Sequence, residues 1–240
     1  MRHVYRWLRR LVWLLFIGVA VLAAYALMRG RPQDLPWTPL DLAQPPGLFT
    51  GRKLAALTQQ PEQCRALLDR AGIAYTALGP QGSGQCVHND TVRLKAVAGA
   101  VALSPSSAPS CPVVAALKLW EWNVVQPAAQ RLFRSQVKRI EHFGSFSCRR
   151  MYGRSRGDFS EHATADAIDI SGFVLADGRR VRVLRDWKGQ GKDAQFLHEV
   201  RDGACGLFST VLSPDYNAAH ADHLHLDQAE RGAMGWRACR

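Results

Sequence analysis

The feature that most constrains this chain is a pair of polar segments that are widely separated in sequence. The first is residues 160–169, SEHATADAID, and the second is residues 220–225, HADHLH. Three of the chain's eight histidines lie within the six residues of the second segment. A fold that brings the two segments together would concentrate imidazole and carboxylate groups at one place.

Such a concentration is typical of a catalytic zinc site. A zinc ion that takes part in chemistry has three protein ligands of the imidazole and carboxylate type and leaves its fourth position to water. His162, Asp169 and His225 can supply that set, so the sequence predicts a site for one zinc ion. The other two histidines of the second segment, His220 and His223, then remain for proton transfer.

The residues around these candidates have the alternation of β-strands. On a strand, His223 and His225 point to one side while the leucines that follow each of them point into the core. The same alternation separates Asp169 from the two isoleucines that flank it. A buried carboxylate without a partner is costly, and a metal ion or a histidine would supply one. We therefore expect the zinc site to lie on a sheet.

The N-terminus predicts export from the cytoplasm. A basic segment, residues 1–10, precedes eighteen uncharged residues, 11–28, and Arg29 ends the apolar run. This run is long enough to cross a bilayer as a helix, and the leading arginines predict that the N-terminus stays in the cytoplasm. We expect an inner-membrane anchor with a periplasmic main domain. Ala24-Tyr25-Ala26 matches a cleavage pattern, so removal as a signal peptide is the alternative.

The net charge of +11 does not predict nucleic-acid binding. Six arginines lie in the first 31 residues, which contain no acid, and the remaining chain carries an excess of only +5. No helix-turn-helix, zinc-finger or aromatic-interleaved basic stretch is apparent, so we expect no nucleic-acid partner. A weak positive field of this kind suits an anionic cell-wall polymer.

The cysteines agree with an oxidising compartment. Their number is even, they are scattered and no C-x-x-C pair occurs, which favours disulfides over a cysteine-ligated metal. Six cysteines allow fifteen pairings, and the sequence does not choose among them. Our working hypothesis pairs Cys64 with Cys86, Cys148 with Cys205, and Cys111 with Cys239.

Periodicity and turn signals predict an α+β fold, with a mainly antiparallel sheet, helices packed against it and one N-terminal transmembrane helix. Expected helices are 60–71, 113–133 with a kink at Pro127, and 193–201. Expected strands are 73–78, 91–97, 136–146, 168–175, 181–187, 210–212 and 223–226.

The predicted domain organisation has three parts. Residues 1–29 are the membrane anchor or signal, and the proline-rich residues 30–54 are a semi-extended linker. Residues 55–240 are the main domain, which divides into a leading subdomain, 55–105, and a zinc-site core, 106–240.

The two polar segments resemble the motifs of a known group of enzymes. Residues 160–169 read S-x-H-x-x-A-x-A-x-D and are similar to the S-x-H-x-x-G-x-A-x-D signature of the LAS metallopeptidases. That group includes zinc D-Ala-D-Ala carboxypeptidases and murein endopeptidases. Residues 220–225 resemble its second motif, H-x-x-H-x-H. Ala165 stands where the signature has glycine, and an alanine fits there only if the backbone does not require a positive φ.

A closer resemblance is to the extensin-like C-terminal domain family of bacteria, over roughly residues 55–240. It is carried by Cys148-Arg149, Ser160-Glu161-His162, Ala167-Ile168-Asp169 and residues 223–227, HLHLD. The resemblance implies zinc ligation by His162, Asp169 and His225, proton transfer by His223 and assistance by His220. Asp222 is the alternative to His223 as the base.

The resemblance also implies a substrate. Arg149 has the position of the S-G-Y-R-S arginine of related carboxypeptidases, where a guanidinium can hold a peptide carboxylate, with Arg150 as the alternative. The implied activity is that of a zinc-dependent peptidase, of D,D-carboxypeptidase or endopeptidase type, acting on D-amino-acid-containing peptidoglycan peptides in the cell envelope. The alternatives are a non-catalytic zinc-containing module that binds the cell wall and a structural envelope protein.

Overall fold

The computed structural model of the chain describes residues 2–232 and 236–240. In this part of the chain the helices are α1 (Arg2–Arg29), α2 (Thr50–Ala56), α3 (Pro61–Arg70), α4 (Cys111–Trp120), α5 (Gln126–Phe133), α6 (Val183–Asp186) and α7 (Lys192–Ala204). The strands are β1 (Tyr75–Ala77), β2 (Val92–Leu94), β3 (Ala102–Ser104), β4 (Val137–His142), β5 (Ala167–Leu175), β6 (Arg180–Arg182), β7 (Thr210–Leu212), β8 (Leu224–Asp227) and β9 (Ala238–Cys239). The predicted α+β class is confirmed.

The main sheet has seven strands among the described residues, in the order β3-β4-β5-β8-β7-β9, and β6 pairs with β5 beside this path. The pairs β3–β4 and β7–β9, at the two ends, are parallel. The pairs between them are antiparallel. The sheet is therefore mixed, and the prediction of a mainly antiparallel sheet was wrong, because the short end strands escaped the sequence pattern.

Alternating apolar residues hold the centre of this sheet. Ile168 and Ile170 of β5 and Leu224 and Leu226 of β8 are all fully buried. They belong to one hydrophobic cluster that also includes residues of α3, α4 and α7. One face of the β5–β8 pair is therefore packed on helices, and the residues that alternate with these four are directed to the other face.

The helix predicted for residues 113–133 is divided, as its proline suggested. A π-helical turn, Glu121–Val125, separates α4 from α5, and Pro127, which lacks a backbone N–H, lies in the first turn of α5. The Trp120 indole N–H donates to the Val200 carbonyl oxygen of α7 at 2.7 Å. Its ring also packs on Phe173 of β5, with 5.8 Å between ring centroids. These contacts fix the helices on the sheet.

The predicted hairpin around Asp177-Gly178 forms, but its second strand is short. Gly178 has a φ of +86°, which the turn requires. Strand β6 ends at Arg182, and Val183–Asp186 is helical where strand was expected. The Arg182 N–H donates to the Asp186 carboxylate at 2.8 Å, which begins the helix and ends the strand.

All six cysteines form disulfides in the structure, as expected, but every predicted pairing was wrong. The bonds join Cys64 with Cys111, Cys86 with Cys148, and Cys205 with Cys239. The first bond connects α3 to the start of α4, and the third connects the residue after α7 to β9. Packing between elements decides these pairs, and the order of the cysteines along the chain does not report it.

The segment predicted as a linker is packed on the main domain over part of its length. Leu40 and Leu42 are buried and belong to the main hydrophobic cluster. The buried residue Gln33 accepts a hydrogen bond at its carbonyl oxygen from the Phe49 N–H, at 3.2 Å. These residues therefore do not form a free spacer. The predicted domain boundaries remain a prediction.

Helix α1 is long and apolar enough to cross a membrane. The stretch His3–Ala26 has a mean hydropathy of 1.8, and none of its most apolar window is buried by the rest of the protein. By length and composition alone, this is weak support for a membrane anchor, because signal sequences share both properties. The orientation of the anchor and its possible cleavage remain predictions.

Removal of the Cys64–Cys111 bond should destabilise the protein. This bond joins two cysteines that are separated by 47 positions in the sequence, so it restricts the unfolded chain. We expect the double substitution Cys64→Ala with Cys111→Ala to lower the free energy of unfolding by about 4 kcal/mol. Guanidinium unfolding of the detergent-solubilised chain would measure this loss. An unchanged unfolding midpoint would show that the bond contributes nothing.

Candidate metal centre

The central strand pair positions two of the three predicted zinc ligands. In the antiparallel register of β5 and β8, Asp169 lies directly opposite His225. The third residue, His162, lies in a 3-10 helix, Glu161–Thr164, just before β5. Ser160 is the N-cap of this helix, and its hydroxyl accepts a hydrogen bond from the His162 N–H at 3.4 Å. The fold thus brings the two polar segments of the sequence together.

Three side-chain atoms of this group converge. Asp169 Oδ1 lies 3.1 Å from His162 Nε2 and 3.0 Å from His225 Nδ1. The two ring nitrogens are 3.2 Å apart. Each of the three residues thus offers one potential ligand atom, and these atoms lie close enough together to hold a single metal ion.

Hydrogen bonds on the outer side of each ring determine which nitrogen faces inward as an acceptor. His162 Nδ1 lies 2.6 Å from the Ser145 carbonyl oxygen, which can only accept, so Nδ1 carries the hydrogen. His225 Nε2 donates to the Asp227 carboxylate at 3.0 Å. In the neutral rings, His162 Nε2 and His225 Nδ1 therefore direct lone pairs toward Asp169.

Two lone pairs and a carboxylate oxygen at this spacing repel one another unless a cation lies among them. Imidazole nitrogens and a carboxylate oxygen are ligands that zinc takes in catalytic sites. Carboxylate or carbonyl acceptors behind the ligating rings are the usual outer partners of such histidines. The residues present therefore fit a zinc ion, and their assignment as ligands remains a prediction.

The electrostatics of the group follow from burial and pairing. When the rings hold a proton in place of a cation, they donate to Asp169 instead of directing lone pairs toward it. Burial acts to raise the pKa of Asp169, but these hydrogen bonds from His162 and His225 outweigh it and hold that pKa well below its usual range. Burial acts to lower the pKa of His225, but the carboxylates of Asp169 and Asp227 raise it to about 9. Asp169 is thus charged, and its charge stabilises positive charge beside it.

His223 lies next to the three converging residues. Its Nε2 is 3.5 Å from Asp169 Oδ1, and its Nδ1 donates to Asp222 Oδ1 at 2.8 Å. The ring contacts that of Phe143 edge-on, with 5.9 Å between centroids. His223 thus lines the cleft, with its Nε2 near Asp169. Asp222, the alternative base, accepts the hydrogen bond from the His223 ring.

His220 lines the same cleft as a neutral ring. Its Nδ1 donates to Asn217 Oδ1 at 2.8 Å. Burial, followed by the nearby rings of His223 and His225, lowers its pKa to about 4. Because the protonated form is disfavoured, the ring is suited to accept a hydrogen bond in the cleft at neutral pH.

The rim of the cleft includes one of the two candidate arginines. Arg149 is exposed and lines the cleft together with Tyr152 and the candidate metal ligands. Arg150 instead places its guanidinium over the Phe159 ring, 4.4 Å from the centroid, and hydrogen-bonds to the Gly157 carbonyl oxygen. The position of Arg149 therefore suits substrate binding, whereas Arg150 is engaged elsewhere.

Our sequence interpretation gave no role to four residues that support this arrangement, namely Ser145, Tyr152, Asn217 and Asp227. The strand alternation that places His223 and His225 on one face also places Asp227 there, so this residue had a recognisable signal. It is 3% exposed. Ser145 acts through its backbone carbonyl, which no side-chain pattern reports.

Ala165 adopts a backbone conformation that favours glycine. Its φ is 61° and its ψ is 17°, so the backbone at this position has the positive φ that an alanine was expected to avoid. The conformation is held by hydrogen bonds, since the Ala165 carbonyl oxygen accepts from the Ser110 N–H at 2.9 Å. The loop before Asp169 therefore has the shape that glycine would suit, with alanine in its place.

One comparison with known proteins returned a match. A family model described as "Extensin-like protein C-terminus" matches residues 62–240, a range that contains every residue of the metal centre. No curated protein and no solved structure matches the chain.

Substitutions at Ala165 test its conformation. The left-handed conformation costs an L-residue about 1–2 kcal/mol, and glycine avoids this cost but loses a buried methyl group and backbone order. We expect Ala165→Gly to change the free energy of unfolding by less than about 1 kcal/mol, and Ala165→Val to lower it by more than about 2 kcal/mol. Urea unfolding measures both, and equal stability of the valine variant and the unsubstituted protein would contradict the positive φ.

Proposed function

The chain belongs to the extensin-like protein C-terminus family, and we propose that this member is a zinc-dependent peptidase of the cell envelope. The proposed substrates are peptidoglycan peptides that contain D-amino acids. The resemblance of residues 160–169 and 220–225 to LAS metallopeptidase motifs supports this substrate class.

The convergence of His162 Nε2, Asp169 Oδ1 and His225 Nδ1 is the observation that carries the proposal. These atoms lie at a cleft that His220 and His223 also line. A structural zinc site would use four protein ligands and be closed to solvent. Three ligands with further histidines in an open cleft favour catalysis over a purely structural role.

The chemistry divides between the ion and the side chains. When bound, zinc polarises a carbonyl group and makes water acidic enough to attack near neutral pH. In our proposal, His223 accepts a proton at Nε2 from the attacking water and delivers it to the leaving amine. Asp222 supports this role, because its hydrogen bond with Nδ1 orients the ring and stabilises its protonated form.

The cleft also offers groups that position a substrate. Arg149 can hold a peptide carboxylate with two parallel hydrogen bonds. His220, whose Nδ1 donates to Asn217, can accept a hydrogen bond at its remaining ring nitrogen near neutral pH. These residues would orient the scissile carbonyl toward the zinc site, which lowers the entropic cost of the reaction.

The N-terminal helix supports a location at the membrane. A stretch of apolar residues that follows a basic segment is typical of an inner-membrane anchor with its main domain in the periplasm. Disulfide bonds form and persist in that compartment. In this proposal the domain acts on cell-wall peptides while α1 holds it at the membrane.

The proposal predicts zinc-dependent cleavage. We expect the purified full chain to bind one zinc ion and to release D-alanine or severed crosslinks from muropeptides, detected by mass spectrometry. His225→Ala should abolish both zinc retention and cleavage, because it removes one of three ligands. His3→Ala, at an exposed position of α1, is the matched control and should retain both.

Other outcomes of this experiment are equally informative. A protein that binds zinc but cleaves no muropeptide would favour the non-catalytic wall-binding module. If the unsubstituted protein retained no zinc, and the His225→Ala variant were as active as the unsubstituted protein, the metal centre would be refuted.

The hydrogen bond from His225 to Asp227 should strengthen zinc binding. Loss of such an outer partner typically costs about 10- to 100-fold in metal affinity, and we expect this loss for Asp227→Ala. Asp227→Asn should lose less, since its amide oxygen can still accept the hydrogen bond. Competition with a chromogenic chelator measures the affinities, and circular dichroism checks that each variant is folded. Equal zinc affinities of the unsubstituted chain and the two Asp227 variants would show that Asp227 does not strengthen zinc binding.

A further inference from the structure

The loop beside the metal centre is rich in arginine. Residues 148–159, here called the arginine loop, contain four arginines and one acid: Arg149, Arg150, Arg154, Arg156 and Asp158. Arg149 is the candidate substrate-binding residue of the cleft. The metal centre does not account for the remainder of the loop.

The base of the arginine loop is held firmly. Its first residue, Cys148, is bonded to Cys86. Arg150 and Phe159 form an antiparallel backbone bridge, and the Met151 N–H donates to the Asp158 carbonyl oxygen at 3.0 Å. The position of the loop beside the cleft is thus set by covalent and hydrogen-bonded contacts.

Three arginines of the loop have no acidic partner among the residues that the structure describes. Arg149, Arg154 and Arg156 are exposed, and none forms an ion pair or a side-chain hydrogen bond with an acid in the described part of the chain. Elsewhere, Arg131 pairs with Glu199 and Arg179 pairs with Asp193. Positive charges grouped in this way attract anions and repel one another when no anion is bound.

Tyr152 connects these charges to the cleft. It has a φ of 56°, lines the cleft and accepts a hydrogen bond at its hydroxyl from Asn217 Nδ2 at 3.3 Å. The Arg154 guanidinium lies 5.5 Å from the centroid of the Tyr152 ring. This cation–π contact and the link to Asn217 place Arg154 at the same rim of the cleft as Arg149.

We propose that the arginine loop is an anion-binding arm of the cleft, in which Arg149 and Arg154 bind two separate carboxylate groups of one ligand. Guanidinium groups suit this role because they bind carboxylates through two parallel hydrogen bonds. Arg156 adds to the positive field that attracts the ligand. This inference extends the proposed function, since it specifies a substrate with at least two negative charges.

Binding without turnover tests the arm directly. The full chain in detergent, stripped of metal with EDTA and then dialysed free of the chelator, is titrated against dansyl-Gly-D-Glu-D-Ala, which has two free carboxylates, and against the same peptide with both carboxyl groups amidated. Fluorescence anisotropy reports binding. We expect the diacid to bind about 100-fold more tightly than the diamide at low salt, since each of the two carboxylates contributes about tenfold. The difference should shrink as salt increases.

Variants separate the arm from general charge. Arg154→Gln should reduce the preference for the diacid by about tenfold. Tyr152→Leu, which removes the ring beneath Arg154, should have the same effect, whereas Tyr152→Phe should retain most of the preference. Arg70→Gln, an exposed charge change in α3, is the matched control and should leave it unchanged.

Equal binding of the diacid and the diamide by the unsubstituted chain would overturn the arm. Equal preference in Arg154→Gln and Arg70→Gln would overturn it as well. The peptidase proposal is judged separately, by zinc-dependent cleavage of muropeptides. A preference for the diacid without cleavage would support the anion-binding arm and contradict the peptidase proposal. Cleavage without the preference would support the peptidase proposal and contradict the arm.

Discussion

The register of β5 against β8 is the constraint on which the candidate site depends. It places Asp169 opposite His225 and, on the other face of the same strands, buries Ile168, Ile170 and their leucine partners. Because side chains alternate with a period of two, a shift by one residue would exchange the polar and apolar faces. The hydrophobic core therefore specifies the site: the packing that keeps the isoleucines buried also keeps the carboxylate beside the imidazole.

A second set of contacts connects this pair to loops outside the strands. The Ser145 hydroxyl donates to the Ala167 carbonyl oxygen at 2.7 Å, and its own carbonyl accepts from His162. His162 therefore depends on the segment that follows β4 as well as on its own loop. On the other side of the site, Asp227 uses one oxygen for His225 and the other for the Ala229 N–H, at 3.0 Å. Each candidate histidine ligand is therefore oriented by a group that is itself held in place.

Much of this arrangement could be predicted from local patterns, and the reasons for the failures are physical. The runs AIDI and HLHLD alternate so regularly that both the strands and the polar face could be recognised in the sequence. The edge strands β3 and β9 are two or three residues long, and their parallel pairing depends on distant segments. The disulfides likewise follow helix packing. The positive φ of Ala165 is imposed by backbone hydrogen bonds, so its side chain gave the opposite indication.

The packing of residues 33–42 limits how far the domain can move from the end of α1. Helix α1 ends at Arg29, and Gln33 is already buried in the folded part of the protein. An extended chain covers at most about 3.6 Å per residue, so the four intervening steps reach roughly 14 Å. With α1 in a bilayer, this short connecting segment would hold the protein close to the lipid surface. Under the proposed function, distant layers of the wall would then lie beyond its range, and its substrates would be those assembled or delivered next to the membrane.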